Sequence, residues 1–152
     1  MLRLARTSAD NADFRALVVL LDQDLHRRDG EDHAFYAQYN TLGAIRHAVV
    51  AYADGEAVGC GAFKEYSPGT AEIKRMFVQP AWRGRGVAAT VLAELEHWAR
   101  ETGYSTAILE TGQQQPEAIR LYEKSQYTRI PNYGQYAGVE NSVCMQKSLG
   151  EL

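Results

Sequence analysis

The stretch 78–88 carries the residue types and the spacing of an anion-binding turn. It reads Val-Gln-Pro-Ala-Trp-Arg-Gly-Arg-Gly-Val-Ala, so that Arg83, Gly84, Arg85 and Gly86 follow one another. Glycine lets a backbone approach a ligand and turn its N–H groups inward, and the start of a following helix adds positive dipole. The two arginines add full positive charges. The turn therefore predicts a site for a phosphate-bearing ligand.

A second motif occupies residues 115–127. Pro116 suits the first position of a helix, where its missing N–H has no partner to lose. Tyr122 lies four residues after Ala118, so both side chains share one helix face. The motif thus predicts a short helix that presents a tyrosine hydroxyl.

The first motif resembles the signature of the GNAT superfamily of acyl-CoA-dependent N-acetyltransferases. Arg83, Gly86 and Ala88 match its Arg/Gln-x-x-Gly-x-Gly/Ala pattern. The second motif is similar to the family's Asn-x-x-Ala-x-x-Leu-Tyr pattern with two departures, since Gln115 replaces the Asn and Gln126 replaces a Gly. The first departure keeps an amide side chain, and the second falls in a helix-ending turn.

The resemblance implies acetyl-CoA as the cofactor. Backbone groups at 76–78 would pair with its pantetheine arm in the manner of an added strand, and the turn at 83–88 would hold its pyrophosphate. The full set of cofactor-binding residues expected in this way is Met76, Phe77, Val78, Arg83, Gly84, Arg85, Gly86, Val87, Ala88, Gln115 and Tyr122.

The resemblance also implies direct attack of a primary amine on the thioester, with Tyr122 protonating the departing thiolate. Glu72 lies where some family members carry a catalytic glutamate, and Glu110 and a water chain are alternatives for the base. Because a primary ammonium has a pKa near 10.4, only about one molecule in a thousand is neutral at pH 7, and a base offsets part of that deficit. The structural alternatives are a core tyrosine for Tyr122 and a salt-bridge partner for either glutamate.

The acceptor is a small-molecule or peptide amine whose identity the motifs leave open. Lys74 and Arg75 are interpreted as a surface ion pair, or else as groups that hold a carboxylate or phosphate of the acceptor. Tyrosines supply flat area and a hydroxyl for an acceptor pocket, and five of them come from suitable segments: Tyr36, Tyr39, Tyr66, Tyr133 and Tyr136.

Three other interpretations stay open. Gly84-x-Gly86-x-x-Ala89 with Glu110 also fits a dinucleotide fingerprint, although the antiparallel hairpins expected before it do not suit a doubly wound sheet. A non-catalytic acyl-CoA-binding regulatory module is the second alternative. The third is a ping-pong enzyme with Cys144 as its nucleophile.

Size and composition narrow the class of protein. A chain of 152 residues suits one domain, 1–152. Its net charge of −3 argues against a nucleic-acid partner, and the absence of a long apolar run or signal-peptide core predicts a cytoplasmic protein without a membrane partner. Cys60 and Cys144 are expected to be reduced core thiols, and the four histidines show no metal-ligand spacing, so no metal is expected. A homodimer is left open.

Hydrophobic patterning supplies the elements that position these residues. We expect strands at 2–6, 45–53, 56–66, 70–78, 105–110, 127–130 and 141–147, and helices from Ser8 or Asp10 to Arg27, at 33–39, 86–101 and 116–124. An Asp54-Gly55 pair predicts a tight hairpin turn. Strand alternation is expected to place Glu72, Lys74, Met76 and Val78 on one face. The fold class is α+β, and the resemblance implies a GNAT-like mixed, mostly antiparallel twisted sheet with helices on both faces and a splayed central strand pair, 70–78 and 105–110.

Overall fold

A computed structural model describes residues 2–29 and 45–150 of the chain, which form one sheet with packed helices. The strands are β1 (Leu2–Thr7), β2 (His47–Ala53), β3 (Glu56–Ser67), β4 (Thr70–Val78), β5 (Thr106–Gly112), β6 (Thr128–Ile130) and β7 (Ser142–Ser148). The helices are α1 (Ala12–Asp29), α2 (Val87–Thr102) and α3 (Pro116–Lys124), with short 3-10 turns at Pro80–Trp82 and Gly134–Tyr136. The helix expected at 33–39, with Tyr36 and Tyr39, lies outside the described residues. None of the described helices combines the length and apolarity needed to cross a bilayer.

The sheet order is β1-β2-β3-β4-β5-β7-β6, and the β4–β5 pair is parallel while every other neighbouring pair is antiparallel. The mixed, mostly antiparallel α+β sheet expected from the sequence is therefore confirmed. The Asp54–Gly55 turn is also confirmed, because both residues have positive φ, 52° and 83°.

Each face of the sheet carries its own hydrophobic core. On one face α1 packs Phe14, Leu17, Val18 and Leu21 against alternate residues of β2 and β3. On the other face α2 covers the sheet with an apolar stripe at helical spacing, in which Trp98 is partly buried and five residues are buried: Val87, Val91, Leu92, Leu95 and Ala99. The helices on both faces thus follow from the helical period of their apolar residues.

Gly61 of β3 lets α2 and β4 approach this strand closely. A Cβ at this position would lie 2.5 Å from Met76 Sδ and 2.7 Å from Leu95 Cδ1, both far inside van der Waals contact. The missing side chain therefore fixes how deeply Met76 enters the core beneath α2.

A bulge in β4 overturns the expected alternation along that strand. In the register with β3, Cys60 faces Phe77 whereas Ala62 faces Lys74, so β4 carries one extra residue. Met76 and Val78 consequently pack in the same core as Ile73, and Phe77 packs in the core beneath α1. The expectation that Glu72, Lys74, Met76 and Val78 share one face is wrong, because one inserted residue moves the following side chains to the other face.

The central parallel pair separates part of the way along. β4 and β5 are paired from Thr70 and Thr106 to Ile73 and Leu109 only. β4 then continues to Val78, and β5 continues to Gly112 against β7. The splayed strand pair expected from the resemblance is present, and it leaves the second half of β4 without a neighbour on its β5 side.

The backbone conformation of Gln126 indicates a substitution that should stabilise the fold. It has a left-handed φ of 77° in the turn after α3, a conformation that costs a non-glycine residue roughly 1–2 kcal/mol. Gln126→Gly removes this cost and loses roughly 0.5–1 kcal/mol to the entropy of the unfolded chain. We expect a net gain of about 0.5–1 kcal/mol, seen as a Tm higher by about 2 °C in a calorimetric scan. The control Gln126→Ala keeps the left-handed cost, and a glycine variant that melts no higher than the alanine variant contradicts the interpretation.

Candidate active site

One cavity of about 530 Å³ opens where β4 and β5 separate. Its volume lies in the range of small-molecule sites in proteins. The cavity collects nearly all of the site residues expected from the sequence: Glu72, Met76, Phe77, Val78, Arg83, Gly84, Gly86, Val87, Ala88, Gln115 and Tyr122, together with Glu110. Arg85 is absent from its lining.

The glycine turn at the head of α2 forms an anion cradle. Gly84 and Gly86 have left-handed φ values of 77° and 82°, and no atom lies within 4 Å of where a Cβ would stand on either residue. Gly86 is the N-cap of α2 and offers no side chain to cap the first turn. The N–H groups at this helix start therefore combine with the positive end of the helix dipole, an arrangement that fits a phosphate.

The two arginines of the turn have different surroundings. Arg83 donates from Nε to the carbonyl oxygen of Val78 at 2.9 Å, and its guanidinium lies over the Phe77 ring at 5.5 Å. The guanidinium of Arg85 lies over the Trp82 ring at 4.9 Å, on the exposed side of the turn. Arg83 thus ties the turn to the end of β4, and Arg85 adds charge from outside the cavity.

The free edge of β4 leads from this cradle into the cavity. Val78 and Phe77 pair with Gly59 and Cys60 of β3 on one side, and the pairing with β5 has already ended at Ile73. An unpaired strand edge offers N–H and C=O groups to an extended ligand. The backbone at 76–78 accordingly fits an amide-containing arm that adds to the sheet.

Two residues of the second motif line the far wall of the cavity. Gln115 precedes α3 and makes no side-chain capping bond, and Tyr122 lies on the inner face of that helix. Tyr122 is buried, with 6% of its surface exposed, and its ring meets that of Tyr127 edge-on at 5.8 Å. Burial raises the pKa of the Tyr122 hydroxyl, and the nearby Glu110 carboxylate raises it further. The hydroxyl therefore stays protonated at pH values where an ordinary tyrosine ionises.

Glu72 belongs to a buried polar cluster on β4. Its residue surface is 3% exposed, and its Oε2 accepts a 2.7 Å hydrogen bond from the Tyr133 hydroxyl. Lys74 Nζ lies 3.9 Å from the same oxygen and 3.5 Å from the Tyr136 hydroxyl. Burial lowers the pKa of Lys74, while the charges of Glu72 and Glu110 oppose that change. Two carboxylates, Glu72 and Glu110, and the Lys74 amine thus line one cavity.

Lys74 and Arg75 are not surface residues. Their side chains are 9% and 4% exposed, and Arg75 forms an ion pair with Asp22 of α1 through Nη1 and Oδ1 at 2.8 Å. The interpretation of these residues as a surface ion pair is therefore wrong. Arg75 also has a left-handed φ of 61°, for which an arginine gives no sequence signal.

Cys144 does not have the surroundings of a nucleophile. It is 1% exposed, it does not line the cavity, and burial raises the pKa of its thiol to about 11. Cys60 is likewise buried, and both thiols are free, as expected for reduced core cysteines. The ping-pong alternative therefore has no support from the geometry.

Comparisons with known proteins identify the family. The model of the acetyltransferase (GNAT) family matches residues 14–127. The IAA acetyltransferase of Azospirillum brasilense is 35% identical over 150 residues, which cover 94% of this chain and 97% of that protein.

Solved structures share the fold over the whole chain. A protein from Klebsiella pneumoniae, assigned as an acyl-CoA N-acyltransferase, superposes with a TM-score of 0.82 at 30% identity and covers 99% of both chains. A GNAT family acetyltransferase from Elizabethkingia anophelis, solved with acetyl-CoA bound, has a TM-score of 0.71 at 16% identity over 97% of both chains. This second likeness concerns the fold alone.

The positive charge of the turn at 83–88 should control how tightly coenzyme A binds. Arg83→Glu combined with Arg85→Glu replaces two positive charges beside the cradle with two negative ones. We expect the dissociation constant for coenzyme A, measured by calorimetric titration, to rise about 100-fold, which corresponds to ~2.7 kcal/mol. The matched control Arg3→Glu with Arg129→Glu makes the same change in net charge away from the cavity lining. Equal weakening in both double variants would contradict a local role for the turn.

Proposed function

We propose that this chain, which belongs to the acetyltransferase (GNAT) family, transfers the acetyl group of acetyl-CoA to a primary amine of a small molecule or peptide by direct attack. The observation that carries the proposal is the cavity itself. The two open left-handed glycines at the head of α2 lie at one part of its lining, and Tyr122 and Glu72 lie at another. An anion cradle and a proton donor thereby serve one ligand.

The residues of the cavity fit coenzyme A group by group. The turn at 83–88 would hold the pyrophosphate, and the free edge of β4 at 76–78 would pair with the amides of the pantetheine arm. Gln115 and Tyr122 would contact the end of that arm from α3. Acetyl-CoA, when bound, supplies an acetyl group activated as a thioester.

The chemistry of transfer requires three proton movements, two away from the nitrogen and one onto the sulfur. Glu72 takes the proton of the acceptor ammonium, so that the amine nitrogen can form its bond to the acetyl carbon. A backbone N–H of β4 donates to the acetyl oxygen and stabilises the charge that develops there. Tyr122 donates its proton to the sulfur, which leaves with the electron pair of the broken C–S bond. The nitrogen, positively charged after its attack, passes its second proton to the Tyr122 oxygen and so restores the hydroxyl, and Glu72 releases its proton to the solvent. The enzyme takes no covalent part in this scheme.

A panel of amines tests the proposal. We expect thiol release from acetyl-CoA to accelerate with at least one class of amine among polyamines, amino acids, aminoglycosides and peptides, with the acetylated amine found by mass spectrometry. Binding of coenzyme A without turnover of any amine would instead support the non-catalytic acyl-CoA-binding module. Binding of NAD in place of coenzyme A would support a dinucleotide site.

The proton donor predicts a particular pH profile. Because burial and Glu110 raise the pKa of Tyr122, its hydroxyl stays protonated at pH values where an ordinary tyrosine ionises. In wild type, kcat/KM should therefore rise with pH as the acceptor amine loses its proton, with no falling limb from tyrosine up to about pH 10. Tyr122→Phe should lower kcat about 10-fold at every pH, a modest effect because a thiolate is a tolerable leaving group.

Paired carboxylate variants identify the base in the same assay. Glu72→Gln should lose most activity at pH 7 and recover at pH 9.5, where the amine is deprotonated by the solvent instead. Glu110→Gln is the matched variant on the other strand of the cleft. Recovery with pH in the Glu110 variant alone would move the base to Glu110, and unchanged rates in Tyr122→Phe and Glu72→Gln would remove both assigned roles.

A further inference from the structure

Arg75 has an unusual backbone conformation for its place in the fold. The described non-glycine residues with positive φ are Asp54, Gln126 and Arg75, and of these Arg75 alone lies inside a strand. The left-handed conformation is strained for an arginine, so other contacts must hold it there. Strain of this kind points to a position whose geometry matters.

The strain lies at the start of the free edge of β4. The ladder to β5 ends at Ile73, and the register with β3 breaks between Cys60 and Ala62, opposite Arg75 and Met76. Both of these residues line the cavity. Their backbone polar groups therefore lie at a break in the ladders, next to the position expected for the acyl group.

Contacts from two other elements hold Arg75. From α1, Asp22 Oδ1 accepts a 2.8 Å hydrogen bond from Nη1, and from β3, the Cys60 thiol donates to the Arg75 carbonyl oxygen at 3.4 Å. The Arg75 side chain is 4% exposed, and among the described residues its Nε has no hydrogen-bond partner. Asp22 thus pairs with the nearly buried guanidinium of Arg75, and its removal takes away the carboxylate that compensates that charge.

We propose that Asp22 and Arg75 form a positioning pair, through which α1 holds the β4 bulge in its left-handed conformation and sets the backbone donors that face the acetyl group. The inference rests on the proposed acetyl transfer. Neither side chain touches the reacting atoms; both act through the backbone at 74–76. Loss of the bulge would return β4 to plain alternation and move Met76 and Phe77 to the wrong cores.

Hydrogen–deuterium exchange tests the pair in the free protein. Asp22→Ala should speed exchange of the amides in the segment 74–78 on the order of 10-fold, because the bulge opens locally once its anchor is gone. Asp13→Ala is the matched control, since Asp13 also lies on α1 and accepts a 2.6 Å hydrogen bond from the Tyr52 hydroxyl, away from the bulge. Equal exchange of 74–78 in the two variants overturns the proposal.

A spectroscopic measurement tests the effect on the acyl group. The carbonyl carbon-13 resonance of acetyl-CoA labelled at that atom reports how strongly the bound thioester is polarised. We expect Asp22→Ala to move this resonance toward its value in free solution while the dissociation constant for coenzyme A changes less than about 3-fold, because the cradle at 83–88 is intact. A carbonyl resonance equal to that of wild type overturns the proposal.

Substitutions at position 75 distinguish a positioning role of the Asp22–Arg75 pair from a role in fold stability alone. Arg75→Gly removes the guanidinium but adopts a left-handed φ without strain, whereas Arg75→Ala removes the guanidinium and keeps the strain. The double variant Asp22→Ala with Arg75→Gly should therefore recover slow exchange and kcat relative to Asp22→Ala, and Asp22→Ala with Arg75→Ala should not. Equal behaviour of the two double variants assigns the pair to fold stability alone.

These readouts separate the inference from the proposed function. Exchange in the free protein requires neither cofactor nor acceptor. Fast exchange in Asp22→Ala, in a protein that does not bind acetyl-CoA, would therefore support the role of Asp22 as an anchor of the bulge and contradict the proposed acetyl transfer. If the protein acetylates an amine but Asp22→Ala leaves both the amide exchange and the carbonyl resonance unaltered, the proposed acetyl transfer is supported and the positioning pair is contradicted. Where Asp22→Ala does not fold, Asp22→Asn retains a hydrogen bond without the charge and gives the same two measurements.

Discussion

The cleft depends on the place where β4 and β5 stop pairing. The two strands are in register only from Thr70 to Ile73, and β5 then stays with β7 as far as Gly112. β4 instead carries an inserted residue, which bends a strand and increases its local twist. One strand remains straight against its neighbour while the other turns away, and the space between them becomes the cavity. The glycine turn, the free edge of β4 and Tyr122 all line the space that this divergence opens.

The bulge also distributes side chains between the two cores. Before it, Ile73 points beneath α2; after it, Met76 and Val78 do so, and Phe77 faces α1. Gly61 leaves room for Met76 at this point. The inserted residue is therefore built into the packing of both faces, and the backbone that lines the cavity cannot move without disturbing each core. Packing of this kind gives a site rigid walls.

Much of the fold could be predicted because its signals are local. An Asp54-Gly55 pair supplies the backbone angles of a tight hairpin, and Pro116 marks the beginning of α3. The apolar residues of α2 repeat at the helical period, and this period predicts which face of the helix is buried. Most of the expected site residues line the cavity because many of them belong to the motifs at 78–88 and 115–127, which lie at the starts of α2 and α3. The roles assigned to Tyr122 and Glu72 stay predictions.

The sequence could not reveal the contacts that join distant segments. Nothing in the local sequence marks Arg75 as left-handed, since arginine disfavours that conformation, and its partner Asp22 lies 53 residues away. The Lys74 amine likewise donates a hydrogen bond to Tyr136, which lies 62 residues further along the chain. Arg85 is expected from the sequence to bind the cofactor; its guanidinium stacks on Trp82 and does not line the cavity, a contact that the spacing of the turn does not reveal.

The free edge of β4 interrupts the hydrogen bonding in the middle of the sheet. From Lys74 onward this strand pairs on its β3 side alone, so its backbone bonds should open more readily there than in the half that is paired on both sides. An extended ligand that binds along that edge would pair with the unpaired backbone groups of β4 and fill the space between β4 and β5. A ligand in the cleft should then reduce the opening of backbone hydrogen bonds throughout the sheet, above the core beneath α1 as well as above the core beneath α2.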